Sequence, residues 1–197
     1  MPEHLVCLTF DHDNASANIA RGLVTPTMIS RGDFGIPATE RILKLLEKYS
    51  IATTWFVPGH TIENYPYCVR SVANAGHEIA NHGWTHRIPA SLGREGEEEE
   101  LVRANAAIEA LTGRAPRGYR SPAWDLSTHT VDLLLKQGFE YDSSMMGHDY
   151  IPYQALSSCV SDPTKCGSMV AISQSRSVPF CHDCTRNSDG LSSAKMG

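Results

Sequence analysis

Basic residues are scarce and scattered. The 197 residues hold 17 Lys and Arg against 22 Asp and Glu, for a net charge of −5, and no cluster of cations occurs. Nucleic-acid binders draw most of their affinity from phosphate neutralisation, so that class is excluded. Long apolar runs are also missing: none approaches the roughly 20 residues that span a bilayer. The opening Met1-Pro2-Glu3-His4 lacks the basic region of a signal peptide, which makes the cytoplasm the expected location. Disorder is excluded in turn, because 41% hydrophobic and 20% charged residues suit a packed core. The length fits one ordinary domain.

A third absence is local. None of the 12 glutamates lies after Tyr153, whereas four of the six cysteines and ten of the 19 serines do. Residues 1–153 carry 13 Lys and Arg against 19 Asp and Glu; the last 44 residues carry 4 against 3. The chain therefore divides into a domain at 1–153 and a Ser/Cys-rich tail at 154–197.

Within the first part, short apolar runs alternate with amphipathic ones. Strands are expected at His4–Phe10, Ile51–Val57, His77–Ala80, Arg117–Arg120 and Phe139–Asp142. A long loop is expected after Asp13. Helices are expected from near Pro37, with Ile42, Leu45, Leu46 and Tyr49 at helical spacing; from Pro66 to Ala75, stopped by Gly76; from Arg94 to Thr112, with Leu101, Ala104, Ile108 and Leu111 inward; and after Ser127, carrying Val131, Leu134 and Leu135. Such alternation implies a parallel sheet covered by helices. Chemistry then gathers where strands end, at their C-terminal edge. Those ends are Asp11-His12-Asp13, Pro58-Gly59-His60, Asn81-His82, Arg120-Ser121-Pro122 and Asp142-Ser143. Most of them present charged or imidazole groups.

Three constellations stand out there. His82-Gly83-Trp84-Thr85-His86 places two imidazoles four apart on a loop or single turn, a weak signal by itself. Asp11 and Asp13 close the first strand, either as turn formers or with one carboxylate joining the histidines on a metal and the other taking a proton. Two histidines and a carboxylate leave open positions for water and substrate. Arg120 ends a strand where it can pair with the free carboxylate, and Trp124 offers a flat apolar face. Both also have bland readings, as a surface cation and a core aromatic.

These residues resemble the polysaccharide deacetylases of the NodB-homology type, a distorted (β/α) barrel. Thr9-Phe10-Asp11-His12-Asp13 is similar to the family's Thr-Phe-Asp-Asp-Gly, and His82-Gly83-Trp84-Thr85-His86 to its His-Ser/Thr-x-x-His. Arg120-Ser121-Pro122, with the aromatic displaced to Trp124, resembles Arg-x-Pro-aromatic, and Asp142 stands where a fourth motif supplies an aspartate. The runs Thr53–His60 and Ala75–His82 look like the branch holding peptidoglycan-deacetylase-like and allantoinase-like proteins. The resemblance implies an α/β fold, a partial distorted barrel of about five βα units with an irregular C-terminal tail. It implies that Asp11 is the catalytic base, that Asp13, His82 and His86 hold zinc or a similar divalent ion, and that Arg120 orients Asp11. Trp124, Pro122 and Asp142 would face the substrate. The implied reaction is hydrolysis of the N-acetyl amide of an aminosugar polymer; hydrolysis of a small cyclic amide, or a non-catalytic product that only binds, are the alternatives.

Two departures accompany it. His12 separates the carboxylates that the family keeps adjacent, and the family's late Leu-x-His, whose imidazole protonates the leaving amine, has no counterpart. Weak or no turnover is therefore expected. The resemblance stops at Tyr153, so the chain reads as C-terminally truncated. Residues beyond read either as a zinc knuckle on Cys159, Cys166, Cys181 and Cys184, whose spacing is poor, or as a frame change, splice-variant end or gene-annotation error. A short strand is expected at Met169–Ile172. An interrupted barrel leaves a sheet edge unpaired, so a homo-oligomer is among the expected states. Cys7 and Cys68 read as buried thiols, Glu97–Glu100 as a solvated helix face, Trp55 and Met145-Met146 as packing groups, and His60 as a residue within reach of the site.

Overall fold

The computed structural model describes residues 6–147, 152–156 and 168–171. Five strands follow one another in parallel: β1 (Thr9–Asp11), β2 (Thr54–Val57), β3 (Glu78–Asn81), β4 (Gly118–Tyr119) and β5 (Tyr141–Asp142). Parallel neighbours need crossovers. These are supplied by α1 (Ser16–Ala20), α2 (Pro26–Asp33) and α3 (Gly35–Tyr49), then α4 (Gly59–Asn64) and α5 (Pro66–Asn74), then α6 (Gly93–Thr112) and α7 (Thr130–Lys136). The result is an α/β half-barrel, as the sequence implies.

Two further strands extend the sheet past β5. With β6 at Tyr153–Leu156 and β7 at Ser168–Ala171, the order is β1-β2-β3-β4-β5-β7-β6; β7 runs parallel to β5, and β6 antiparallel to β7. The strand expected at Met169–Ile172 is thus present one residue earlier. β6 is a strand that sequence reading missed. Its Ala155 packs in a cluster with Leu101, Tyr119, Leu133, Leu134 and Phe139, so this part of the tail shares the core of the barrel. The four tail cysteines lie outside the described residues.

Strand alternation builds the core. Trp55 and Val57 face the helices, packing with Leu46, Ile62, Val69, Val72, Ile79 and Ile108. Phe56 clusters instead with Ala80 and Tyr141. All four β2 residues are buried, which is why that strand reads as a continuous apolar run rather than an alternating one. Burying side chains of this size contributes about 1.5–3 kcal/mol each.

Several expected elements shift for local reasons. The loop expected after Asp13 contains α1 and α2; Pro26 opens α2 with its fixed φ, and the Thr25 side chain accepts the Met28 N–H. Leu45 and Tyr49 are exposed, because α3 turns only its Ile42, Leu43 and Leu46 side inward. The last helix starts at Thr130, and Ser127 precedes it as a turn residue whose Oγ accepts the His129 N–H. Cys68 is buried and Cys7 half-buried.

The Glu97–Glu100 expectation is overturned in part. Glu97 is buried at 1% exposure, its carboxylate accepting hydroxyls from Ser127 and Thr130, both at 2.5 Å. Glu98 pairs with Lys136 and Glu99 with Arg103, toward solvent. Glu100 bonds the histidine loop. The residues α6 buries are Glu97, Leu101, Ala104 and Ile108, one stripe at helical spacing. Extending the apolar stripe back one turn lands on Glu97, a signal that a charge-run reading hides.

Candidate metal centre

The chemistry-bearing residues meet at the C-terminal edge of the sheet. The ladder to β2 continues one bond past β1, from His12 N–H to the Phe56 carbonyl, and the strand's alternation carries on with it, so residues two apart share a face. Asp11 and Asp13 therefore point together, toward Arg120 and the histidines, while His12 turns to the other side. There the His12 ring lies edge-on to Trp55 and bonds Thr39 Oγ1 at 3.1 Å, beneath α3. Burial lowers its pKa to about 4, against the opposing pull of Asp13, so the ring is neutral at pH 7.

Asp13, His82 and His86 each offer one ligand atom, and these atoms lie within 4.8 Å of one another. Asp13 Oδ1 is 3.5 Å from His82 Nε2, and Asp13 Oδ2 is 3.3 Å from His86 Nε2. The two rings stand edge to face, with centroids 5.0 Å apart. His82 Nδ1 lies 2.6 Å from the Arg120 carbonyl oxygen. A carbonyl only accepts, so Nδ1 carries the proton and Nε2 presents a lone pair to Asp13. Asp13 Oδ1 is itself buried without a hydrogen-bond partner. Two acceptors facing each other at 3.5 Å repel unless a cation sits between them. The donor set thus fits a divalent metal ion, with room left for further ligands.

Electrostatics agree in direction. Burial works to raise the Asp13 carboxyl, but the His86 hydrogen bond and the neighbouring imidazoles outweigh it and hold the group below its usual range. Burial pushes the His82 imidazole down, against Asp13 and Asp11, which keeps it in the neutral, ligating form.

Beside this cluster, Arg120 Nη1 bonds Asp11 Oδ1 at 2.6 Å. Nη2 reaches Thr9 Oγ1 and Ser143 Oγ, each at 2.9 Å, and the guanidinium lies 4.0 Å over the Phe56 ring. Three hydrogen bonds and a ring face fix this cation, and through it the Asp11 carboxylate.

The histidine loop is held from three sides. Asn81 Oδ1 accepts the Gly83 N–H, and the N–H groups of Gly59 and His60 bond the carbonyls of Gly83 and Trp84. Glu100 accepts from Trp84 and Thr85. Gly59 is required by close approach, since a Cβ there would fall 2.2 Å from the Trp84 ring. On the opposite loop Pro122 is buried and Trp124 half-exposed, with Ala123 and Trp124 at φ 58° and 54°. Consecutive left-handed residues other than glycine are strained and persist only where the surroundings fix them. Asp142 supplies part of that support. It has no exposure, and it accepts from Ser144 N, Ser144 Oγ and Met145 N; Ser144 Oγ in turn accepts the Ser121 N–H. Burial raises the Asp142 carboxyl, the Ser144 bonds opposing.

The structure therefore brings Asp11, Asp13, His82, His86 and Arg120 into one constellation. Pro122 and Trp124 form an adjoining loop, and Asp142 lies beneath that loop. His60 bonds the histidine loop through its backbone. Sequence reading named Gly59 and Asn81 only as strand-end residues and took Glu100 for part of a solvated face; their support of the loop's backbone was missed. Two open cavities of about 520 and 730 Å³ lie at the other end of the strands, around His77 and Ala52, away from this chemistry. Among the described residues no helix is long and apolar enough to cross a membrane.

Comparison with known proteins gives a consistent result. The family described as polysaccharide deacetylase matches residues 1–141. A peptidoglycan deacetylase of Helicobacter pylori is 40% identical over 145 residues, covering 74% of this chain and 46% of that protein. A peptidoglycan deacetylase-like protein of Gibberella zeae is 33% identical over 150 residues, covering 73% and 44%. The chain thus spans about half the length of the curated relatives it matches. A Mycobacterium smegmatis structure assigned to the polysaccharide deacetylases superposes with a TM-score of 0.73 at 35% identity, covering 86% of this chain and 58% of that one. A Puue allantoinase superposes with a TM-score of 0.70 at 23% identity, covering 90% and 61%, a likeness of fold.

Proposed function

The chain belongs to the polysaccharide deacetylase family, and from that premise we propose that it is built for metal-dependent hydrolysis of the N-acetyl amide of an aminosugar polymer of the peptidoglycan or chitin type. The observation that carries the reading is the meeting of Asp13, His82 and His86 beside the Asp11–Arg120 pair. Zinc is the ion we propose, because two imidazoles and a carboxylate are a common catalytic zinc set with an open position. When bound, it would polarise the amide carbonyl and supply a nucleophilic water at neutral pH.

The remaining work falls to the chain itself. Asp11, freed from ligation by its partner Asp13, is positioned by Arg120 to take a proton from the attacking water. The same carboxyl, once protonated, is a group that can return that proton to the departing amine. Trp124, half-exposed on its loop, offers an apolar face for a sugar ring or acetamide, two residues after the buried Pro122. Asp142 we assign to supporting that loop rather than touching substrate, because its carboxylate is buried and occupied.

Acetate release from N-acetylglucosamine oligomers, measured with and without added zinc, tests the reading. Zinc-dependent release that falls by at least ~100-fold in Asp11→Asn is expected, the usual share of a general base. Hydrolysis of small imides or ureides with no acetate release from the oligomers would overturn the substrate class, and release indifferent to zinc would overturn the metal role.

A further inference from the structure

We propose that Glu100 is a positioning residue for the metal centre, holding the turn between His82 and His86 so that both imidazoles meet Asp13. The inference rests on the metal reading above and extends it to a residue on a different element, in the middle of α6. Glu100 Oε2 accepts the backbone N–H groups of Trp84 at 2.8 Å and Thr85 at 2.7 Å, while Oε1 accepts the Thr85 hydroxyl at 2.7 Å. One carboxylate thus gathers three donors from two consecutive residues, both inside the His82–His86 segment.

The turn needs that support. His86 follows Thr85 directly and adopts φ 61°, a left-handed conformation that strains a residue with a Cβ. Gly83, at φ 72°, begins the same turn. Two backbone N–H groups pointing one way form a small anion-binding concavity, and a charged acceptor bonds them about twice as strongly as a neutral one. Glu100 is rigidly presented, because its neighbours Leu101 and Ala104 are fully buried. Arg103, one turn on, lies 4.2 Å over the Trp84 ring and closes the outer side of the loop. The first histidine is oriented separately, by its Nδ1 bond to the Arg120 carbonyl. Glu100 therefore governs where His86 falls relative to that fixed ring.

Glu97 supplies an internal control. It is a carboxylate on the same helix, more deeply buried than Glu100, and it bonds Ser127 and Thr130 rather than the histidine loop. If carboxylates on α6 mattered only for stability, both would behave alike.

The experiment is a Co²⁺ titration followed by visible absorption, paired with thermal melting of the metal-free chain. Glu100→Ala is expected to weaken Co²⁺ binding by on the order of 10–100-fold, the usual cost of losing a residue that orients a ligand, and to alter the Co²⁺ bands. Glu100→Gln is expected to restore most of the affinity, because its amide oxygen can accept both backbone N–H groups. Glu97→Gln is expected to lower the melting temperature with Co²⁺ affinity unchanged. Equal Co²⁺ affinity in wild type and Glu100→Ala would overturn the inference, as would equal weakening by Glu97→Gln and Glu100→Ala. Should Glu100→Ala fail to fold, Thr85→Val removes one of the three bonds, and its unchanged affinity would overturn the inference instead. Absence of Co²⁺ binding by the wild type would remove the metal reading itself, a separate outcome.

Discussion

Replacing Arg120 by methionine removes the cation that ties the ends of three strands while leaving most of its volume. The guanidinium is buried, with a side-chain exposure of 6%, and it bonds Asp11, Thr9 and Ser143 while stacking on Phe56. Breaking a buried ion pair by removing one partner costs roughly 3–5 kcal/mol. The Asp11 side chain is 28% exposed and recovers some hydration, which favours the lower part of that range, about 3–4 kcal/mol. Native domains hold only about 5–15 kcal/mol, and at this size each kcal/mol moves the melting temperature by roughly 2–4 °C. A fall of roughly 6–16 °C is therefore expected by circular dichroism or calorimetry. Arg120→Lys keeps the charge but cannot reach three partners at once, so an intermediate fall is expected. The Nδ1 bond of His82 goes to the backbone carbonyl of residue 120 and survives both changes, so metal affinity should fall far less than stability. A methionine variant melting within ~2 °C of wild type, less than one kcal/mol by the same conversion, would refute the reasoning.

Two further perturbations follow from the site's supports. Gly59→Ala would drive a Cβ to within 2.2 Å of the Trp84 ring, so destabilisation of about 1–3 kcal/mol is expected in urea melts, with weakened metal binding because the displaced ring carries the histidine loop. Asp142→Asn probes pH. Burial raises the folded carboxyl pKa, so the wild-type contribution is greatest below the unfolded value, about 3.9, and is lost as pH rises through the folded value. The asparagine variant lacks that loss, so its stability relative to wild type should improve as pH rises from 4 toward neutrality; a difference independent of pH would contradict this assignment.

Most of the candidate site was legible because side-chain chemistry at strand ends is a sequence-level signal. Asp11, Asp13, His82, His86 and Arg120 are chemically conspicuous, and alternation along β1 accounts for the intervening His12. The supports were less legible. Glu100, Asn81 and Gly59 act on backbone groups of a loop whose path no local pattern specifies, and a run of four glutamates reads as solvent-facing unless the buried stripe of α6 is extended to Glu97. Helices α1 and α2 were missed because their apolar residues are few and their ends lie within polar loops. The sheet's extension by β6 escaped for a different reason: Tyr153-Gln154-Ala155-Leu156 begins at the composition boundary where the sequence closed the domain, and it has no apolar run like the one at Met169–Ile172.

The central claim is that Asp13, His82 and His86 form a divalent metal site. Zinc or Co²⁺ titration of the purified chain, beside the His82→Ala, His86→Ala double variant, tests it most directly. One tightly held ion per chain in the wild type, lost in a double variant that still folds, is the predicted result. Equal metal stoichiometry in the two proteins would contradict it.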